Sequence, residues 1–102
     1  MAPTIAFAQT NPTVGDVSGN AGLIRRVRDN AASLGADLVV FSELVLVGYP
    51  PEDLVVRPAF VQAAEAALRG LESESEAGLP GIVIGLPWAV DGRVYNAVAL
   101  IA

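Results

Sequence analysis

The chain has 102 residues and a net charge of −5, and 53% of its residues are hydrophobic against 17% that are charged. This composition is typical of one folded domain, and an acidic chain without a basic face is a poor candidate for binding nucleic acid or an anionic membrane. The sequence contains no Cys, His or Lys, which excludes thiolate chemistry, Cys/His zinc sites and Schiff bases within these residues.

The first half of the chain predicts a strand, a helix and a second strand. Residues 4–9 (TIAFAQ) read as a short buried strand, followed by a loop rich in turn formers. A helix is predicted from Ser18 or Asn20 to Leu34, with Arg28 off its apolar face. Residues 38–42 are a continuous apolar run of β formers, which predicts a strand that is buried on both faces.

The second half predicts a helix and a hairpin. Pro58 marks the start of a helix with an apolar stripe that continues to about Ser73. The acidic run at residues 72, 74 and 76 is expected to be a solvated helix end. A third strand is predicted over residues 82–86, and Asp91-Gly92 is typical of a two-residue hairpin turn into a fourth strand over residues 93–101.

The predicted element order is therefore βαβαββ. Right-handed crossovers place the first three strands in one parallel sheet, and the fourth strand adds an antiparallel neighbour. The chain stops inside an apolar strand, at residues 100–102. We therefore expect residues 1–102 to be the N-terminal part of one α/β domain in a longer protein.

Glu43 is the main candidate for chemistry. In a parallel α/β sheet, ligands bind outside the carboxyl ends of the strands, and Glu43 directly follows the second predicted strand. A carboxylate among apolar residues is costly to bury without a partner, and a glutamate in such a place suits general-base catalysis near neutral pH. The alternative is that Glu43 receives hydrogen bonds from loop amides or an arginine and only stiffens the turn.

Several stretches resemble a known family. FSELVLVGYPPEDL, at residues 41–54, resembles the glutamate motif F-P-E-L-x-L-x-G-Y of the nitrilase (carbon–nitrogen hydrolase) superfamily, with Ser42 in place of the usual proline. AQTNPTVGDVSGNA (8–21), GYPPEDLVVRPAFVQAAEAAL (48–68) and GRVYNAVAL (92–100) are similar to the N-terminal glutaminase domains of the glutamine-dependent NAD synthetases. The resemblance covers essentially the whole chain.

The resemblance implies a fold, a reaction and partners. The fold is an α-β-β-α sandwich, of which this chain would be the N-terminal portion. The superfamily uses a Glu–Lys–Cys constellation, in which only Glu43, as general base, matches a residue of this chain. Glutamine would be hydrolysed to supply ammonia to a C-terminal synthetase domain, which uses ATP and Mg²⁺ to convert deamido-NAD to NAD. A cytoplasmic homo-oligomer is expected, with no metal or cofactor in this segment and no membrane or nucleic-acid partner.

Three further side chains are secondary candidates. The resemblance places Tyr49 near the substrate pocket as a substrate-binding residue, whereas the alternative is packing over the Pro50-Pro51 turn. Asn96 lies among apolar residues of the fourth strand and needs a hydrogen-bond partner, which favours a structural tie over substrate contact. Trp88 is expected to be a core or rim aromatic rather than part of the site.

Two alternative functions stay open at this stage. The chain could belong to another nitrilase-type amidase, which acts on a small amide or carbamoyl compound without a synthetase partner. It could also be a non-catalytic α/β interaction module, since the Lys and Cys of the constellation do not occur in it.

Overall fold

The computed structural model describes residues 2–75 and 78–102. Along the chain, the elements are β1 (Ile5–Phe7), α1 (Val17–Ser33), β2 (Leu38–Val40), a short 3₁₀ helix (Glu52–Val56), α2 (Pro58–Ser73), β3 (Gly81–Val90) and β4 (Arg93–Ile101). The strand order in the sheet is β1-β2-β3-β4, with the first three strands parallel and β4 antiparallel to β3. The predicted α/β class and βαβαββ order are confirmed, whereas the 3₁₀ helix was not predicted.

The hairpin and α2 agree most closely with the sequence. The bounds of α2 and β4 are those predicted. Asp91 and Gly92 have φ angles of 50° and 78°, the left-handed pair that a two-residue hairpin turn requires. β3 is longer than predicted, because it pairs with β4 as far as the Val90–Arg93 pair that flanks the turn.

The start of α1 differs from the prediction. The helix begins at Val17 because Asp16 is its N-cap, where the side chain accepts a 3.0 Å hydrogen bond from the Gly19 N–H. Asn20, predicted as a possible first residue, therefore lies inside the helix. β1 and β2 are also shorter than predicted, since they end at Phe7 and Val40.

One face of the sheet is covered by both helices. The side chains at the centre of this covered face are almost fully buried against α1 and α2. They alternate along β3 with residues that point the other way, as the two-residue period of a strand requires. The principal residues of this core are Ile24 of α1, Leu71 of α2, Val39 of β2, and Ile82, Ile84 and Leu86 of β3.

The opposite face of the sheet, which we call the outer face, is open in this chain. Phe7, Val40, Val83 and Leu100 are register neighbours across the four strands. Phe7 is 77% exposed and Leu100 is 64% exposed. The prediction that β1 is a buried strand and that β2 is buried on both faces is therefore wrong for these 102 residues. The reason is that both helices pack on one side of the sheet.

An ion pair links the two helices on the covered side. Arg25 Nε lies 2.6 Å from Glu74 Oε1, and Arg28 Nη2 lies 3.9 Å from the same oxygen. The hydrogen bond from Arg25 lowers the pKa of the Glu74 carboxyl from its ordinary value. Two predictions are corrected here: Arg28 is buried rather than off the apolar face, and Glu74 is paired rather than simply solvated. Residue 76 of the same acidic run lies outside the described residues.

Candidate active site

Glu43 follows the carboxyl end of β2, and the four apolar residues after it form a buried turn rather than more strand. Leu44 has a φ of 52°, a left-handed conformation that ends the extended backbone. The Gly48 N–H donates to the Leu44 carbonyl oxygen at 2.8 Å and closes the turn. Residues 44–47 are all buried. This segment, residues 43–48, is called the glutamate turn below; its apolar side chains anchor it in the core beside Glu43.

Two glycines let neighbouring backbone approach the glutamate turn closely. A Cβ added to Gly85 of β3 would lie 2.5 Å from the backbone nitrogen of Leu44. A Cβ added to Gly48 would lie 2.5 Å from the Cα of Val14. The turn is therefore packed backbone to backbone against β3 and against the loop that follows β1.

Asn20 of α1 joins that loop to the glutamate turn. Its side chain is buried, and its Oδ1 accepts a hydrogen bond from the Thr13 N–H at 2.8 Å. Its Nδ2 donates to the Thr13 carbonyl oxygen at 2.8 Å and to the Leu46 carbonyl oxygen at 3.2 Å. A backbone bond from the Gly15 N–H to the Val47 carbonyl oxygen, at 2.9 Å, ties the same two segments together.

The Glu43 carboxylate itself is exposed and has a defined partner. Asn96 Nδ2, on β4, donates a hydrogen bond to Glu43 Oε2. The surrounding apolar sequence suggested a buried carboxylate, and that expectation is wrong because the four residues after Glu43, not Glu43, turn into the core. The partner is also neither a loop amide nor an arginine. Asn96 thus has the hydrogen-bond partner that the sequence predicted it to need.

Glu43 lines two hollows. One, of about 280 Å³, is bounded by Glu43, Ser42, Tyr49 and the loop residues 10–12. The other, of about 380 Å³, lies over the outer face, between Glu43, Asn96 and the side chains around Val83 and Val98. A carboxylate between two hollows can exchange a proton with a group that enters from either side.

Tyr49 lies close to Glu43. It is 60% exposed and shares the 280 Å³ cavity with Glu43. Its role as a substrate-binding residue stays a prediction. Trp88 is partly buried against the core and lines a different hollow, near Leu68 and Leu86, in agreement with the expectation that it is not part of the site.

Sequence reasoning missed two parts of the site. The first is Asn20, for which the helical pattern indicates only a possible helix start. The available signal is a polar residue on the buried side of the helix, next to the apolar Ala21 and Ile24. The second is the wall formed by residues 10–12. The Thr10 hydroxyl is buried there and makes no hydrogen bond to any other described residue.

The rest of the described chain adds little other chemistry. Residues 2–75 and 78–102 contain no group of three or more His, Cys, Asp or Glu side chains that could hold a metal ion. Within the same ranges, no helix has the length and hydrophobicity to cross a membrane. The chain therefore contributes to its candidate site one carboxylate, an amide that orients it, and a tyrosine beside it.

Three kinds of comparison relate this chain to known proteins. The family model "Carbon-nitrogen hydrolase" matches residues 4–102. A glutamine-dependent NAD(+) synthetase of Rhodobacter capsulatus is 40% identical over 93 residues, which cover 91% of this chain and 17% of that relative. A solved glutamine-dependent NAD+ synthetase of Acinetobacter baumannii is 30% identical with a TM-score of 0.86, covering 94% of this chain and 18% of that one.

A smaller enzyme of the same fold is similar as well. An amidase from Nesterenkonia sp. superposes with a TM-score of 0.69 at 25% identity, over 94% of this chain and 36% of that one. The 102 residues thus span about a sixth of the synthetases they match and about a third of the amidase. Since the family model covers nearly the whole chain, from its first strand to its last residue, the chain belongs to the carbon–nitrogen hydrolase family.

Proposed function

We propose that this chain is the N-terminal part of a glutaminase domain and that Glu43 is its general base. The whole protein would hydrolyse glutamine to glutamate and ammonia, and pass the ammonia to its own C-terminal synthetase domain. That domain would use ATP and Mg²⁺, bound outside these 102 residues, to convert deamido-NAD to NAD. The observation that carries the proposal is the glutamate held beside a cavity in a chain 40% identical to a glutamine-dependent NAD(+) synthetase.

In the proposed reaction, the chain contributes a proton acceptor. Glu43 takes the proton of a cysteine thiol supplied from outside these residues, and the sulfur attacks the amide carbon of glutamine. A lysine, also from outside them, stabilises the oxyanion that forms. The carbon–nitrogen bond then breaks, and ammonia leaves with the proton that Glu43 held. Water, activated by the same carboxylate, finally hydrolyses the thioester to release glutamate.

The geometry supports this role in two ways. Asn96 occupies Oε2 of Glu43, and none of the described residues donates a hydrogen bond to Oε1, so one oxygen is oriented and the other is available. The glutamate turn is anchored in the core, which limits movement of the Glu43 backbone. A base that is held in place reduces the cost of bringing the reacting groups together. Tyr49, in the same cavity, is proposed to contact the substrate.

The test compares two nitrogen sources in the full-length protein. Glu43→Gln keeps shape and hydrogen-bonding reach but cannot accept the proton. Glutamine-driven NAD formation should fall by about 10²–10⁴-fold, while formation driven by free ammonia should stay within about twofold of the parent protein. Glu72→Gln, at an exposed position on α2, makes the same chemical change away from the site and should alter neither activity.

Equal loss of both activities in a Glu43→Gln protein with a lowered melting temperature would show that Glu43 only supports the fold. A second candidate function is an amidase that acts on a small amide or carbamoyl compound, because the chain shares its fold with the Nesterenkonia amidase. The gene decides between the two. A downstream synthetase domain supports glutamine-dependent NAD synthesis, and a stop codon after one hydrolase domain refutes it. A non-catalytic module would have neither the cysteine nor the lysine downstream.

A further inference from the structure

We infer that Asn20 is a positioning residue for the proposed amide hydrolysis. Through three hydrogen bonds it holds the loop that forms one wall of the Glu43 cavity against the turn that carries Glu43. We call these three hydrogen bonds from Asn20 to Thr13 and Leu46 the clamp. The existence of the clamp rests on the geometry alone, whereas its effect on the reaction rests on the proposed function.

The Asn20 side chain is deeply buried, and both of its polar atoms are hydrogen-bonded. It is 2% exposed, and it lies in α1 beside the core residues Ala21 and Ile24. A buried primary amide is costly unless its donors and its acceptor are satisfied. Here both protons on Nδ2 have carbonyl partners, and Oδ1 has an amide partner. A satisfied polar group of this kind specifies one arrangement of the segments it joins.

The segments that Asn20 joins are the two sides of the cavity. Thr13 directly follows residues 10–12, which form one wall. Leu46 lies three residues after Glu43, which forms the other. Neither segment belongs to a strand or to a helix, so regular secondary structure does not fix the distance between them. Among the described residues, the hydrogen bonds of Asn20, the Gly15–Val47 bond and the close approach of Gly48 to Val14 connect the two segments.

Loss of the clamp should therefore lower glutamine-driven activity more than it lowers ammonia-driven activity. A shift of about 1 Å in a positioned group can cost on the order of 10²-fold in rate. The wall and the Glu43 carboxylate would separate, while the synthetase reaction with free ammonia does not use this cavity in the proposed scheme. The diagnostic quantity is the ratio of glutamine-driven to ammonia-driven activity, which loss of folded protein alone leaves unchanged.

Two substitutions in the full-length protein test the kinetic consequence. Asn20→Leu keeps the number and branching of the side-chain heavy atoms but removes all three hydrogen bonds, and Asn20→Ala removes both the bonds and the packing. Each should lower the glutamine-to-ammonia ratio by about 10- to 100-fold, measured well below the melting temperature. Asn30→Ala is the matched control, because Asn30 is exposed on the same helix, and it should keep the ratio within twofold.

Hydrogen exchange tests the clamp without relying on activity. In both Asn20 variants, amides of residues 10–16 and 43–48 should exchange at least about tenfold faster, with α2 unchanged. Unchanged exchange in these two segments would overturn the clamp. Faster exchange with a ratio like that of Asn30→Ala would overturn the positioning role. An unmodified protein that does not hydrolyse glutamine would instead contradict the proposed function, and the exchange data would still decide whether the clamp exists.

Discussion

Both faces of the sheet carry apolar side chains, but only one of the two faces is covered in this chain. On the covered face, Ile84 and Leu86 are at most 1% exposed beneath the two helices. On the outer face, Val98 and Leu100 are 71% and 64% exposed. Glu43 stands where the two meet: its turn is packed against the covered core, and its carboxylate with Asn96 looks onto the outer face. The contrast shows that packing against the covered core holds the backbone of the glutamate turn, while the Glu43 carboxylate is accessible from the outer face.

The largest expected effect tests the covered face. Ile84→Ala in the full-length protein removes a fully buried side chain and should lower the free energy of unfolding by about 2–5 kcal/mol, since the lost transfer energy adds to the cost of a cavity. Urea unfolding measures this loss. Val90→Ala, at an exposed position on the same strand, is the control and should cost much less.

Truncation of a large apolar side chain on the outer face sharpens the comparison. The α-β-β-α sandwich predicted from the family requires a second sheet on this face. If so, Leu100→Ala in the full-length protein should cost about 2–4 kcal/mol, close to the value for a buried leucine. A loss below about 0.5 kcal/mol, the range of ordinary surface substitutions, would mean that the outer face remains open.

Gly85 tests the contact between the glutamate turn and β3. Gly85→Ala places a methyl group 2.5 Å from the Leu44 backbone nitrogen, where no flexible side chain can move aside. We expect a loss of about 1–3 kcal/mol of stability, together with reduced glutamine-driven activity. Gly22→Ala is the matched control, because its new methyl group would meet only the end of the Arg26 side chain, at 3.5 Å. An alanine within a helix should be neutral or stabilising by up to about 1 kcal/mol.

A smaller effect is expected when the hydrogen bond from Asn96 to Glu43 is removed. Asn96→Ala removes the hydrogen bond to Glu43 Oε2, so glutamine-driven kcat/KM should fall by about tenfold, the worth of about 1.4 kcal/mol. Only one side-chain hydrogen bond of Asn96 is lost, so the melting temperature should fall far less than it does for Ile84→Ala. Asn96→Asp places a second carboxylate beside Glu43 and should be worse than alanine. An aspartate variant as active as the parent protein would contradict an orienting role.

The smallest effect concerns the ion pair between the helices. The pKa of Glu74 is lowered by its hydrogen bond to Arg25, so the stabilisation exists above the ordinary pKa of 4.5 and is lost as the pH falls through the lower, folded value. Glu74→Gln should reduce stability at pH 7 by up to about 1 kcal/mol, as is usual for exposed pairs. The difference from the parent protein should disappear in melting curves at acidic pH, and a difference that persists there would contradict this assignment.

Local rules predicted the elements that are decided locally. α2 and β4 have their predicted bounds, because Pro58 and the Asp91-Gly92 turn act within a few residues of themselves. The α1 boundary failed over a short distance, since Asp16 was not recognised as the N-cap. The apolar run before Glu43 predicted its place after β2, and Glu43 lies three residues beyond the end of that strand at Val40.

The rest depends on contacts between distant residues. The apolar run after Glu43 has the composition of a strand, and it becomes a turn because Gly85, Val14 and Asn20 pack against it from three other segments. Pairs such as Asn20 and Leu46, 26 residues apart, leave no local pattern in the sequence. For the same reason, the exposure of the outer face could not be read from β1 and β2, whose composition is the same as that of strands covered on both faces.

The central claim is that Glu43 accepts the proton of the catalytic thiol, and the reactivity of that thiol tests it most directly. Only the thiolate is nucleophilic, so the rate at which a haloacetamide alkylates the catalytic cysteine of the full-length protein reports proton removal. The claim predicts that Glu43→Gln slows this alkylation at least about tenfold at pH 7, while Glu72→Gln leaves it unchanged. Equal alkylation rates in the parent protein and the folded Glu43→Gln variant would contradict it.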